Sequence, residues 1–195
     1  MTPATRSRKG SHPIRDGIVQ ALRGSGGIFM ETSDAVSRAV TDAVRDAGRA
    51  TGNVGERIAE IVRASIHAIE GAGADAGHAV KGITVGVLHG SRTSGQGAAR
   101  ILARTASTVV RETLRRGGDL AQATRGLVRG AIHSSQELGI EAADAASDVA
   151  DAALDAAEEI SATAAAKVRA AVEGSIDGVR VMLRRHRPAP GSPMT

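Results

Sequence analysis

The sequence predicts an all-α protein of 22-residue helical repeats packed as antiparallel hairpins, a bundle or short α-solenoid, with a longer Ala-rich C-terminal helix. Three observations carry this: an apolar pattern that returns every 22 residues, turn residues that recur in register with it, and a composition almost free of aromatic side chains. Phe29 is the single aromatic among 195 residues, Cys, Trp and Tyr are absent, and 37 Ala and 24 Gly leave few bulky side chains. Such a chain can fill a slim helical core but not a thick sandwich or an α/β core.

Set in rows of 22, one column reads Leu22, Val44, Ile66, Leu88, Val110, Ile132, Leu154, Ile176. The column eight places earlier reads Ile14, Val36, Ile58, Val80, Leu102, Thr124, Ala146, Val168, and the one midway reads Ile18, Val40, Val62, Thr84, Ala106, Val128, Ala150, Val172. Steps of four keep three apolar residues within about 80° on a helix, and 22 residues make about six turns, so the stripe returns to its starting direction. The alternation that would mark a strand is missing.

In chain order, residues 1–13 are basic (Arg6, Arg8, Lys9) and read as a disordered tail. Residues 14–139 read as the repeat region, one helix of about 15–18 residues per repeat. Gly73, Gly95, Gly117 and Gly139 share a column suited to the left-handed position after a helix, and Asn53, Asp75 and Asp119 follow at the N-cap of the next. Asn53 with Glu56 has capping-box-like spacing. A 44-residue super-period matches Ala79–Ser91 to Ala123–Ser135, placing Gly82 and Gly86 in register with Gly126 and Gly130. Each interior Gly costs roughly 1 kcal/mol against Ala, and close approach of a neighbouring backbone is the expected compensation. Residues 140–187 hold no Gly between Gly139 and Gly174; one long helix is preferred there, with a surviving cap at Ser161 or Thr163 and a helix pair as the alternative. Residues 188–195, with Pro188, Pro190 and Pro193, read as a second disordered tail. The expected core includes Ile58, Val62, Ile66, Val80, Leu88, Leu102, Val128 and Ile132.

Charge is segregated on a chain of net charge +4 and isoelectric point near 10.5. Residues 76–133 hold Lys81, Arg92, Arg100, Arg104, Arg111, Arg115, Arg116, Arg125 and Arg129 against Glu112 and Asp119, whereas 137–159 hold acids alone. The eight arginines are the candidate polyanion-binding residues; without interleaved aromatics, any nucleic-acid contact would be phosphate-dominated and non-specific. The competing reading pairs the basic and acidic segments within the molecule or between copies.

His67, His78 and His89 recur every eleven residues, about 16 Å along one helix and too far apart for a shared metal; His133 shares the column of His67 and His89. No GKS or GKT phosphate loop occurs, and Glu158 and Glu159 are adjacent and so point to different helix faces. The expectation is no catalytic residue, no cofactor and no metal. No uncharged stretch approaches the roughly 20 residues of a bilayer span, and no apolar signal core precedes Arg15, so the expected location is cytoplasmic.

Over residues 14–182 the 11/22-residue period resembles that of exchangeable apolipoproteins, perilipins and granule-coating phasins. The resemblance implies amphipathic helices on a lipid or polymer surface. The stretches GITVGVLHGS and RGLVRGAIHSS are similar to uncharacterised bacterial Gly/Ala-rich helical repeat proteins, a likeness that implies no activity. Regular caps, Gly turns and the 44-residue glycine register favour self-packing hairpins instead. The preferred function is therefore a non-enzymatic scaffold or interaction protein, open to self-assembly, whose partner is another protein or a second copy. A surface coat is the alternative and a nucleoid-type polyanion binder the third.

Overall fold

The computed structural model describes residues 27–47, 53–72 and 75–184. Both expected tails, the first stripe (Ile14, Ile18, Leu22) and the turn glycine Gly73 lie outside the described residues. Among the described residues seven helices follow one another: α1 (Ile28–Ala47), α2 (Val54–Ala72), α3 (Ala76–Gly90), α4 (Ala98–Arg116), α5 (Leu120–Leu138), α6 (Ala142–Glu158) and α7 (Ala162–Val172). The protein is all-α apart from a small hairpin, β1 (Ser175–Ile176) and β2 (Val179–Arg180).

Local chemistry sets most helix ends. The side chains of Asp75 and Asp119 accept the backbone N–H of His78 at 2.7 Å and of Gln122 at 3.0 Å, so α3 and α5 begin on equivalent caps. Asn53 accepts from Gly55 N at 3.0 Å at the start of α2. Gly95, Gly117 and Gly139 all adopt positive φ, near 70°, where a Cβ would be strained. Behind Gly117 and Gly139 the paired Schellman bonds Gly118 N→Thr113 O and Ile140 N→Ser135 O close α4 and α5.

The apolar stripes face each other. α1, α3, α5 and α7 pack side by side in one layer and α2, α4 and α6 in a second, with the core between them. Val36, Val40, Val62, Ala106, Val110, Val128, Val149 and Val168 are wholly buried. Of the expected core residues, Ile58, Val62, Ile66, Val80, Leu88, Leu102 and Val128 are buried, whereas Ile132 is only partly buried at the cluster's margin. It packs on the cluster from the edge of α5, while Ala131, Ser134 and Ser135 around it are buried.

Glycine lets the first layer close. A Cβ on Gly82, Gly86 or Gly90 of α3 would stand 2.7, 2.5 and 2.5 Å from the carbonyl oxygens of Phe29, Ser33 and Ser37 of α1. Both helices advance four residues per contact, so they run parallel. Gly126 and Gly130 of α5 repeat this against α3, 2.4 Å from Gly77 O and 3.0 Å from Lys81 O. Helices two apart in sequence are thus parallel neighbours, which the short turns allow only if consecutive helices alternate direction.

The Ala-rich C-terminal segment departs from the long helix preferred from sequence. α6 ends at Glu158 and α7 restarts behind Ser161, whose hydroxyl accepts Ala164 N at 3.1 Å. A serine that caps competes with helix continuation, and folding α7 back on α6 buries Ala164, Ala165 and Val168. After α7, Asp177 and Gly178, at φ 48° and 81°, form the two-residue turn of the hairpin. No strand was expected there from the helical period.

Candidate functional site

The basic segment is not one uniform face. Among the eight candidate arginines, Arg111 pairs with Glu159 at the end of α6. Arg115 and Arg116 flank Glu112 at 2.7 and 3.7 Å, and Arg116 also meets His67 Nδ1 at 2.8 Å. Arg129 reaches Asp177 of the hairpin at 3.2 Å. Arg92 donates to Glu137 O at 2.8 Å and Arg125 to Ala171 O at 3.3 Å, both at helix C-termini where cations satisfy orphan carbonyls. Arg100 and Arg104 have no acidic partner among the described residues.

The acidic segment is engaged too. Glu137 lies 2.7 Å from His89 Nε2, Asp148 pairs with Arg184 at 3.0 Å, and Glu158 with Arg169 at 3.3 Å. Asp151 accepts Arg184 N at 3.0 Å, but burial of its carboxylate raises its pKa above the ordinary value, with Asp155 and Asp148 adding repulsion. The N-cap Asp75 shows the opposite: the His78 backbone N–H, then its side chain, hold the carboxyl below the usual range.

What remains is a cationic groove between α2 and α4. Arg63 of α2 and Arg100, Arg104 and Arg111 of α4 line an open depression of about 420 Å³, with Ser107 beside them. Arg104 lies across α2 with its guanidinium over Gly55, where a Cβ would stand 2.2 Å from a terminal nitrogen. Glu112, on the groove's floor, is nearly buried and held by Arg115 and Arg116. Reasoning from sequence missed Arg63, which stands outside the basic 76–133 window. The 44-residue period was the available signal, since residues slightly more than two repeats apart are neighbours here, as Gly55 and Arg104 are.

The histidines find four separate partners: Arg116 for His67, Asp75 for His78, Glu137 for His89 and the Phe29 ring, edge-on at 5.3 Å, for His133. No group of three metal-ligating side chains occurs among the described residues. No described helix is long and apolar enough to cross a membrane. No family model matches this chain, and neither does any curated protein.

Proposed function

We propose that the chain is a non-enzymatic helical scaffold whose work is to present surfaces to a protein partner or to further copies of itself, inside the cytoplasm. One observation supports this over the coat reading: the apolar stripes of all seven helices are spent on each other. A coat protein needs an apolar face left for its surface, and the large exposed hydrophobics among the described residues are Met30 on α1, Ile160 in the α6–α7 turn and Met182 beyond β2, which share no helix face. Charged side chains such as Arg111, Arg129 and Arg169 likewise tie elements together, and the α2–α4 groove is left as a distinctive surface.

The test is a far-UV circular dichroism melt of the purified chain alone in moderate salt, with its mass in solution measured by light scattering. A sharp cooperative loss of helix without any added surface is expected. Weak or gradually fading helicity that recovers on vesicles or polymer granules would replace this reading with the coat.

A further inference from the structure

We infer that the α2–α4 groove and the arginine stripe along α4 bind the sugar-phosphate backbone of a nucleic-acid duplex without reading its sequence. The inference stands independently of the scaffold reading. At 100° per residue, Arg100, Arg104, Arg111 and Arg115 fall within about 60° of one another and span about 22 Å of α4. Arg63 joins them from α2 across the groove. Along about 22 Å, one strand of a B-form duplex presents roughly six phosphates, which a row of guanidinium forks can meet in turn.

The groove's chemistry selects this ligand. Arg63, Arg100 and Arg104 have no acidic partner among the described residues, and the exposed Arg111–Glu159 pair is of the weak surface kind that a phosphate can displace. Glu112 does not repel an anion there, because Arg115 and Arg116 neutralise it. No aromatic side chain lines the groove, so base stacking is not available, and no Asn or Gln is present to read an adenine edge. A membrane surface would call for several apolar anchors beside the arginines, whereas Met30 lies on α1 and Met182 beyond β2, leaving Ile160, next to Glu159, as a single exposed aliphatic near Arg111. The acidic α6 of a second copy is a poorer occupant, since Asp151 accepts the Arg184 backbone N–H and Asp148 pairs with the same residue within their own chain.

Fluorescence anisotropy with a labelled mixed-sequence DNA duplex of about 20 base pairs tests this on the full chain. With about four phosphates neutralised, affinity should fall on the order of 100-fold between 50 and 200 mM salt, a log–log slope near −3.6. The double substitution Arg100→Ala/Arg104→Ala should weaken binding at least about 10-fold at low salt and flatten the slope by roughly 2. Arg100→Glu should act in the same direction, Arg169→Ala should change nothing, and all variants should keep the parent's helicity. The inference is overturned by no binding at about 50 mM salt, or by binding that survives the double substitution, which would place it in the basic residues preceding Ile28. Capture by vesicles of phosphatidylcholine and phosphatidylglycerol in equal parts, with the duplex left free, would overturn it in favour of lipid.

Discussion

Gly86 of α3 and Ser33 of α1 approach so closely that a Cβ on the glycine would stand 2.5 Å from the serine carbonyl oxygen. Backbone meets backbone here, with Val36 Cβ 2.8 Å away on the other flank, so neither side can yield without moving a helix. Gly86→Ala should therefore lose about 1–3 kcal/mol to overpacking, despite the gain of up to about 1 kcal/mol that Ala brings to an unconstrained helix. Gly55→Ala should behave oppositely. Its obstacle is the far end of Arg104, a flexible side chain that can swing away, so stability should hold or rise by a few tenths of a kcal/mol. Chemical denaturation of the two variants against the parent separates the cases; equal losses would mean that the α1–α3 contact is looser than described.

This contrast marks what was legible in the sequence. Caps, turn glycines and buried columns follow from rules that act within one or two helical turns, so Asp75, Asp119, Gly117 and Gly139 could be read directly. The glycines of α3 and α5 were readable as close-approach positions because their period exposed them, though not which helix they would meet. The break at Ser161 was ambiguous because Ala sustains a helix and Ser caps one, and only packing of α7 on α6 decides between them. The Ile-Asp-Gly-Val hairpin carried its own turn signal, a short-range cue outweighed by the long helical period. The groove was half legible. Arginines were visible as a run, but which of them retain free charge depends on Glu159 and Asp177, brought up by tertiary packing, as well as on Glu112, the i,i+3 and i,i+4 neighbour of Arg115 and Arg116.

Leu102 and Ile132 test where the core ends. Leu102 is 2 % exposed within the central cluster, so Leu102→Ala should cost about 2–5 kcal/mol, the range of cavity-forming truncations. Ile132 is partly exposed and packs on the cluster from its edge, so Ile132→Ala should cost clearly less. Thermal or chemical denaturation checks the order; equal costs would mean that the two positions are buried alike.

Two carboxylates give stability opposite dependences on pH. Asp75 has a folded pKa below its ordinary 3.8, so the native state holds fewer protons there, and its contribution is present above that value and lost as pH falls through the lowered one. Asp151 has a raised folded pKa, so its ionisation opposes folding as pH climbs from 3.8 through the raised value. Asp75→Asn should flatten the acid limb of a melting-temperature profile as pH falls from 3.8 through the lowered value. Asp151→Asn keeps an oxygen for the Arg184 N–H and removes the charge, so its melting temperature should gain on the parent as pH rises toward neutrality. Parallel profiles for parent and variants would show that neither carboxyl is coupled to folding.

The hairpin is tied to the helices at its turn, its first strand and the chain beyond it. Asp177 meets Arg129 of α5, Ile176 is 7 % exposed against the core, and Met182 N and Arg184 N donate to Ser147 and Asp151 of α6. Only the turn's geometry lets these ties form together, because Asp177 and Gly178 both hold positive φ. Gly178→Val puts a β-branched residue at φ 81° and should cost about 1–3 kcal/mol, lost locally because the hairpin is a terminal unit that opens without the helices. Asp177→Asn keeps a side chain that tolerates the turn and removes only an exposed ion pair, so it should cost under about 1 kcal/mol. Native-state hydrogen exchange reads the difference directly. In Gly178→Val the amides of Val181, Met182 and Arg184 should exchange much faster, while those of Val109 and Val128, deep in α4 and α5, keep their protection. Loss of protection throughout would make the hairpin part of the cooperative core, and the seven helices would then depend on it to close their open end.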